Sequence, residues 1–404
     1  MIRYVVPRLS EGVFSVGARD RDRRMFDALV PLPAGTSYNC YLVMGKKKHA
    51  LVDTVHPSFG GGLLGRINQL SELSGLDYVI MNHAEPDHAG ALPAVMEAAP
   101  KAILVASHKG ARMAKTFYNV ADNRMLLVKE GDMLDLGGLT LSFIEAPWLH
   151  WPETMFTYLR EDGILFSCDF FGAHTSYGIC DEDVDELPML AKRYFGQILL
   201  PFRAQGKKAV ERLAGMNIKV IAPGHGPVYK NPEKVLGAYR TWTSGITEEK
   251  AVVAYVSMWS STASLVDVLA EELVSEGIDV KLHNLAISDA GELAADLVDS
   301  RAIVLGSPTV HGGLHPLALN AMNMVKTIRP PARHGAFLGS YGWGGGALKA
   351  ASELFAHAGL RMAGALEING PPRGKDIMDV TGLARALAGR IRESGDGSRE
   401  TGDG

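Results

Sequence analysis

The sequence has 404 residues, of which 47% are apolar and 21% charged, an ordinary globular composition in a chain long enough for two domains. A net charge of −4 gives no reason to expect nucleic acid as a partner, and no apolar run approaches the roughly 18 residues that span a bilayer. The cysteines, Cys40, Cys168 and Cys180, form no C-x-x-C pair, which excludes a disulfide framework, a zinc ribbon and a rubredoxin-type iron site within the chain. Together with an N-terminus that lacks a signal-peptide pattern, this favours a reducing cytoplasm.

Residues 1–248 are predicted to form a layered α/β domain, because short apolar runs broken by Gly, Pro and Asp alternate with helical patterns. The runs predict buried strands at 40–44, 50–53, 78–81, 102–106, 139–144, 164–167 and 220–222. Helices are predicted at 90–99 and 207–214.

Residues 249–392 are predicted to form a second domain with a parallel, doubly wound sheet, because strand, loop and helix alternate strictly. Strands are predicted at 251–256, 280–285, 302–305 and 336–338, and helices at 264–276 and 292–300. The polar stretch 241–249 is predicted to be a linker, and the tail 393–404, rich in Gly, Ser and charge, is predicted to be disordered.

A cluster of metal-ligand residues follows the predicted strands of the first domain. The heptapeptide 82–88 comes directly after the strand at 78–81 and contains His83, Glu85, Asp87 and His88. Further candidates lie just past other strands: His150, Asp169 and His225. Because the same ends of several strands meet at one edge, we expect these seven side chains to converge. The glycines on either side of His225 would let backbone and metal approach closely.

The chemistry of this set narrows the choice of metal. Imidazoles and carboxylates without a thiolate suit iron, manganese or zinc and disfavour Cu(I). Seven ligands exceed the needs of one tetrahedral zinc and suit two metals that share a bridging carboxylate. Anionic oxygen ligands favour redox iron over zinc, although composition alone leaves that choice open. The remaining single histidines are predicted to be ordinary surface residues: His108, His283, His334 and His357.

The ligand pattern resembles that of the flavodiiron proteins, whose first domain has the metallo-β-lactamase αββα fold. Zinc hydrolases of that fold carry His-x-His-x-Asp-His, and Glu85 stands here in place of the second histidine. The resemblance implies that His83, Glu85 and His150 bind one iron, that Asp87, His88 and His225 bind the other, and that Asp169 bridges them. Gly224 departs from the family pattern, in which serine is more usual.

Three loops of the second domain suggest a flavin site. The loop 257–262 offers hydroxyl and N–H groups at a helix N-terminus, which suits a phosphate, and it contains no Lys or Arg. Glycine-rich loops follow the strands at 302–305 and 336–338, and their aromatic residues offer flat faces for an isoalloxazine ring. The three loops resemble those of flavodoxins. The predicted FMN-binding residues are Ser257, Met258, Trp259, Ser261, Thr262, Ser307, Pro308, Thr309, Val310, Ser340, Tyr341, Gly342, Trp343 and Gly344, with Val310-His311 departing from the expected Asn-containing loop.

The resemblance implies an oxidoreductase that reduces O2 to water, or NO to N2O, with electrons passed through FMN to two irons. The donor would be a separate partner, either rubredoxin or reduced coenzyme F-420. Protons would come through His174 or Tyr194. For His174, a purely structural role is an equal alternative. The family also implies a homodimer, or a homotetramer of head-to-tail dimers, in which the FMN of one chain faces the irons of its partner.

Two alternative functions remain open at this point. One is a dizinc hydrolase of the metallo-β-lactamase type fused to a flavodoxin-like domain, against which Glu85 and the flavin loops argue. The other is a flavin electron carrier with a vestigial metal site, against which the complete ligand set argues. Measuring the metal and FMN content of the protein would distinguish the oxidase, the hydrolase and the electron carrier.

Overall fold

The computed structural model describes residues 4–393 and divides the chain into two compact units. Unit 1 runs to Ser244 apart from residues 196–201, which group with unit 2, and unit 2 begins again at Gly245. The prediction of a linker at 241–249 is wrong for residues 241–244, which lie in a helix. The helix extends this far because Trp242 is buried, with its ring 5.3 Å from that of Tyr239. Of the tail predicted to be disordered, Glu393 ends the last helix and the rest lies outside the described residues.

Unit 1 is built around two sheets. Its strands are β1 (Arg8–Ser10), β2 (Val13–Ser15), β3 (Ala18–Asp20), β4 (Met25–Phe26), β5 (Val30–Pro31), β6 (Thr36–Tyr38), β7 (Tyr41–Met44), β8 (His49–Val52), β9 (Tyr78–Met81), β10 (Ile103–Ser107), β11 (Met125–Val128), β12 (Met133–Asp135), β13 (Thr140–Glu145), β14 (Met155–Leu159), β15 (Ile164–Cys168) and β16 (Val220–Pro223). One sheet has the order β1-β2-β7-β8-β9-β10-β11 and the other β12-β13-β14-β15-β16, while β3 pairs with β6 and β4 with β5. The seven strands predicted for this half are confirmed to within one residue at each end.

The core of unit 1 lies between these sheets, where Ile80 and Val105 of one pack with Phe143 and Phe166 of the other. The helices of the unit are α1 (Gly60–Leu70), α2 (Pro86–Ala89), α3 (Leu92–Ala98), α4 (His108–Tyr118), α5 (Leu187–Tyr194), α6 (Arg203–Leu213) and α7 (Pro232–Ser244). Helix α4 covers β10 and β11, while α6 and α7 pack on each other. This is the αββα arrangement expected from the sequence.

Unit 2 is a parallel sheet with helices wound around it. Its strands are β17 (Lys250–Tyr255), β18 (Asp279–Asn284), β19 (Ala302–Val310), β20 (Gly313–Leu314), β21 (His334–Tyr341) and β22 (Arg361–Asn369), and its helices are α8 (Ser261–Ser275), α9 (Ala290–Leu297), α10 (Pro316–Ile328), α11 (Ala347–His357) and α12 (Gly374–Glu393). The order β18-β17-β19-β21-β22 is the flavodoxin-like one, and β20 pairs only with β19. None of the helices in residues 4–393 has the length and apolar content needed to cross a bilayer.

Candidate metal centre and flavin loops

The seven predicted ligands lie in loops and in the short helix α2, at one edge of the unit 1 sheets. The loop after β9 leads into α2, which begins at Pro86 as its first helical residue, so Asp87 and His88 stand in the first turn. His150 lies in the connection between β13 and β14, Asp169 directly follows β15, and His225 follows β16. Strand ends that are far apart in the sequence therefore place the candidate ligands close together.

Asp169 stands at the centre of this cluster and touches both halves of it. The first group consists of His83, Glu85 and His150, and the second group of Asp87, His88 and His225. Asp169 Oδ2 lies 3.3 Å from His83 Nε2 and 3.5 Å from His150 Nε2. Its other oxygen, Oδ1, lies 3.0 Å from His88 Nε2 and 3.5 Å from His225 Nε2. One carboxylate thus offers one oxygen to each group.

The donor atoms of the two groups fit cations. Glu85 Oε2 lies 3.1 Å and 3.0 Å from the two imidazole Nε2 atoms of the first group. Asp87 Oδ2 lies 3.2 Å and 3.1 Å from those of the second group. Both carboxylate oxygens of Asp87 and Oδ2 of Asp169 are buried without a hydrogen-bond partner, which is costly unless a cation meets them. Four imidazoles and two carboxylates in the two groups, with Asp169 between them, suit two ions such as iron, manganese or zinc.

The cluster also shifts the pKa values of its members. Burial alone would raise the pKa of Glu85, but hydrogen bonds from two imidazoles bring it to about 2. Burial likewise opposes ionisation of Asp169, yet His88 holds its pKa well below the usual range. In return, the pKa of His88, which burial would lower, is raised to about 9 by Asp87 and Asp169. Cys168 lies close by, but burial raises the pKa of its thiol well above the usual range, so it is a poor ligand.

Glu153 is a functional residue that the sequence did not reveal. It is buried, and its Oε1 lies 2.7 Å from His83 Nδ1 while accepting a hydrogen bond from the backbone N–H of Ala84. A carboxylate on the far nitrogen of a metal-binding imidazole fixes the ring and its tautomer. Glu153 lies 70 positions from His83, so only the fold brings them together.

The loop that carries four of the ligands is anchored by a buried hydrogen-bond chain. Asp53 accepts hydrogen bonds from the backbone N–H and the side-chain amide of Asn82 at 2.8 Å and 3.0 Å. Thr157 donates its hydroxyl to Asn82 Oδ1 at 2.7 Å. This chain joins β14 and the end of β8 to the residue that opens the ligand loop.

The two predicted proton donors lie beside the cluster in different settings. Tyr194 donates its hydroxyl to Asp169 Oδ1 at 2.8 Å, and burial, with the charge of Asp169, raises the pKa of this phenol well above its usual range. His174 pairs through Nδ1 with the Thr36 hydroxyl at 2.9 Å, while its Nε2 is buried without a hydrogen bond. Burial and the neighbouring His225 lower the pKa of His174 well below its usual range. His174 is therefore a neutral imidazole, and Tyr194 a neutral hydrogen-bond donor.

Two of the histidines that the sequence predicted to lie on the surface are buried. His283 pairs with Asp296 at 2.9 Å, and His334 lies within β21. For these two the surface prediction is wrong, because their strands are covered by other elements of unit 2. Neither belongs to the metal cluster.

The three predicted flavin loops follow neighbouring parallel strands of unit 2. They come after β17, β19 and β21, so they meet at one edge of the sheet, and the strand order reverses between β17 and β19. This reversal is where doubly wound sheets bind their ligands. Met258, Trp259 and Trp343 stand exposed there, with 55%, 87% and 94% of their surface open.

The second and third loops are shorter than predicted, because strands β19 and β21 extend into residues that were predicted to lie in these loops. Four residues predicted to lie in the second loop belong to β19: Ser307, Pro308, Thr309 and Val310. Ser340 and Tyr341 belong to β21, whose pairing with β19 continues as far as Pro308 and Ser340. Beyond Gly306, pairing with β21 and then with β20 keeps β19 extended despite its Ser and Pro content. Pairing with β19 and β22 does the same for β21.

The predicted flavin residues fall into a buried and an open set. Thr262, in the first turn of α8 after Ser261, forms a buried hydroxyl–hydroxyl hydrogen bond of 2.9 Å with Ser340, which ties the first loop to the third strand. Ser257 Oγ accepts a hydrogen bond from the N–H of Ala263 at 3.2 Å. The space around the α-carbons of two glycines of the third loop is open: Gly342 and Gly344.

Comparison with known proteins places this geometry in context. A family model described as ODP family beta lactamase matches residues 36–226. The chain is 36% identical to a nitric oxide reductase of Moorella thermoacetica over 95% of its own length and 98% of the relative. It is 34% identical to a reduced coenzyme F-420 oxidase of Methanothermobacter marburgensis over 97% and 100%.

Solved structures agree with these relatives. The rubredoxin oxygen:oxidoreductase of Desulfovibrio gigas superposes with a TM-score of 0.93 at 29% identity, covering 97% of this chain and 100% of that one. A flavodiiron protein from Giardia intestinalis gives a TM-score of 0.92 at 28% identity, over 97% and 98%. Similarity therefore extends over both units.

Proposed function

This chain belongs to the flavodiiron protein family of oxidoreductases, and on that premise we propose that it reduces dioxygen, or nitric oxide, at two iron ions in unit 1 with electrons from FMN in unit 2. The observation that carries the proposal is the placement of Asp169, whose two oxygens face different ligand groups. A carboxylate so placed suits two ions held side by side rather than one.

The residues of the unit 1 cluster have separate roles in this proposal. The first group would hold one iron and the second group the other, with Asp169 between them. When bound, the irons would supply electrons and a Lewis-acidic site for a diatomic molecule. Tyr194 orients Asp169 through its hydroxyl, and His174 Nε2 is a buried neutral nitrogen able to hold a proton. The ring of Phe26 packs beside that of His174, with the two centroids 5.1 Å apart.

The FMN would lie against the loops after β17, β19 and β21. When bound, FMN would accept electrons in pairs and release them singly. The exposed rings of Trp259 and Trp343 would flank it, and the N-terminus of α8 would receive its phosphate. The donor would be rubredoxin or reduced coenzyme F-420, since relatives named for each are similar to this chain. We further propose a cytoplasmic location and a head-to-tail homodimer, alone or within a homotetramer.

Metal and flavin analysis of the purified protein tests the two-site assignment. We expect about two irons and one FMN per chain, and uptake of O2 or NO once a competent donor is supplied. A zinc-filled protein without uptake would indicate a hydrolase, and a metal-poor flavoprotein an electron carrier.

Asp169→Ala sharpens the test. Because Asp169 serves both ligand groups and the flavin loops belong to unit 2, this variant should lose gas uptake while it retains FMN. The exposed Asp185 of unit 1 provides the control, since Asp185→Ala removes a carboxylate that is not a member of the cluster. Full turnover by an iron-loaded Asp169→Ala protein would refute the assignment.

A further inference from the structure

Glu367 of β22 reaches across the neighbouring strand to residues that border the second and third flavin loops. It stands opposite Gly339 of β21, and a Cβ added to that glycine would lie 3.3 Å from Glu367 Cγ. Because Gly339 has no side chain, the carboxylate passes over β21 to β19, where its Oε1 accepts a hydrogen bond from the Thr309 hydroxyl at 2.8 Å. The same oxygen accepts a hydrogen bond from the backbone N–H of Gly346, at the end of the third loop, at 3.3 Å. One carboxylate oxygen therefore links β22 to both loops.

These contacts supply the cap that helix α11 lacks. Its N-cap residue is Gly346, which has no side chain to accept a hydrogen bond from the first N–H groups of the helix. Glu367 accepts from Gly346 instead, and Thr309 Oγ1 accepts from the N–H of Ala347 at 3.2 Å. The Thr309 hydroxyl is thus used in both directions, as a donor to the carboxylate and as an acceptor from the helix.

The second and third loops meet at Gly346, beside the Glu367 carboxylate. The φ of Gly346 is +144°, a conformation that favours glycine, and a Cβ there would collide with the carbonyl oxygen of Gly312. A Cβ on Gly345 would lie 3.0 Å from Glu367 Oε2. The two loops therefore pack backbone against backbone, and the carboxylate holds the residues on either side of this contact.

We propose that Glu367 is a positioning residue for FMN, which fixes the second and third loops and the start of α11 in the arrangement that receives the flavin. Glu367 lies outside the residues predicted to bind FMN and acts through Thr309 and Gly346. Thr309 then contributes to the flavin site through this network and not through a hydrogen bond to FMN. The inference rests on the proposed function, because it concerns the loops assigned to the flavin.

Titration of FMN into the flavin-depleted protein, followed by the quenching of flavin fluorescence, tests the proposal without measuring turnover. Glu367→Ala should weaken FMN binding roughly 10- to 100-fold, as expected when a hydrogen bond to a charged group is lost. Glu367→Gln should bind FMN more tightly than Glu367→Ala, because its amide oxygen can still accept from Thr309 and Gly346. Wild-type affinity in Glu367→Ala, or equal losses in the Gln and Ala variants, would overturn the proposal.

A double-mutant cycle with Thr309→Val tests the network itself, since valine has a similar shape and no hydroxyl. Because Thr309 and Glu367 share a hydrogen bond, the double variant with Glu367→Ala should lose less affinity than the product of the two single losses. Losses that multiply would show that Thr309 acts independently of Glu367 and would overturn the proposal. If Glu367→Ala fails to fold, Thr309→Val alone carries the test, and unchanged FMN affinity in that variant would overturn the proposal.

The exposed Glu353 of α11 provides the matched control, because Glu353→Ala removes a carboxylate from the helix that Glu367 caps. Its FMN affinity should equal that of the wild type, and a loss as large as that of Glu367→Ala would mean that only the net charge of unit 2 matters. If the wild type binds no FMN, the flavin half of the proposed function fails and the role of Glu367 falls with it. If the wild type binds FMN and Glu367→Ala binds it equally well, the function stands and this inference alone is lost.

Discussion

At the scale of single residues, the carboxylate of Glu153 shows how the ligands are supported. Its contact with His83 Nδ1 holds the ring so that Nε2 points at the cluster. Glu153→Gln should lower Fe(II) affinity roughly tenfold, because the amide retains a hydrogen bond but loses the charge, and Glu153→Ala should cost up to roughly 100-fold. Calorimetric titration of the metal-depleted protein measures both.

The exposed Glu97 on α3 provides a matched control, because Glu97→Gln removes one negative charge from the same unit without touching a ligand. If the Glu153→Gln and Glu97→Gln substitutions lowered Fe(II) affinity equally, the carboxylate of Glu153 would act only through net charge.

The clustering of the seven candidate ligands could be predicted because their residue types recur directly after apolar runs, and both features are local. Glu153 could not, because three residues after His150 it looks like part of a polar turn, and only the packing of β14 beside the ligand loop shows its partner. Burial of His283 and His334 was missed for the same reason: a histidine carries no local sign of what will cover it.

At the scale of elements, the ligand loop depends on the hydrogen-bond chain through Asn82. Asn82→Ala would leave the Thr157 hydroxyl and one Asp53 oxygen buried without partners, at a cost of about 1–3 kcal/mol for each group. The free energy of unfolding of unit 1 should fall accordingly in urea titrations. Metal affinity should fall with it, because the loop loses its anchor.

Asn68→Ala on α1 is the comparison, since this asparagine is exposed and lies away from the chain of hydrogen bonds. An Asn82→Ala protein as stable as Asn68→Ala would show that water satisfies the freed groups.

The accuracy of the strand predictions also has a physical origin. The seven predicted strands of unit 1 were located to within one residue because each is an apolar run with polar flanks. β19 and β21 were predicted too short because Gly306, Pro308 and Gly339 resemble loop residues. In a central strand the neighbouring backbones decide the conformation, and that information lies elsewhere in the sequence.

At the scale of the whole molecule, the proposed dimer predicts that electrons pass between chains. An Asp169→Ala chain should keep its FMN, and a chain with alanines throughout 257–262 should keep its irons. Equal mixing gives heterodimers in about half of the pairs, each with one productive flavin–iron pair, so about a quarter of the wild-type rate should return. Each variant alone should stay inactive.

Native mass spectrometry must show that the mixed dimers form. Heterodimers without activity would rule out transfer between chains and leave transfer within a chain as the route.

The order of the two units could be predicted because the sequence pattern changes near residue 250. Before it, short apolar runs predict the strands of mixed sheets, and after it, predicted strands and helices alternate strictly. The division at Ser244 and Gly245 falls within the stretch 241–249 that was predicted as a linker. Residues 241–244 are nevertheless helical, because Trp242 and Thr243 extend α7 through tertiary packing that a polar stretch does not reveal.

The spacing of the ligands along the chain has a consequence for synthesis. The proposed metal ligands end at His225, and the third proposed flavin loop reaches Gly344, 119 residues later (344 − 225). At about 5–20 residues per second on the ribosome, roughly 6–24 s separate the emergence of the last iron ligand from that of the last flavin loop. On the proposed function, a nascent chain has time to enclose its metal ions before its last flavin loop emerges.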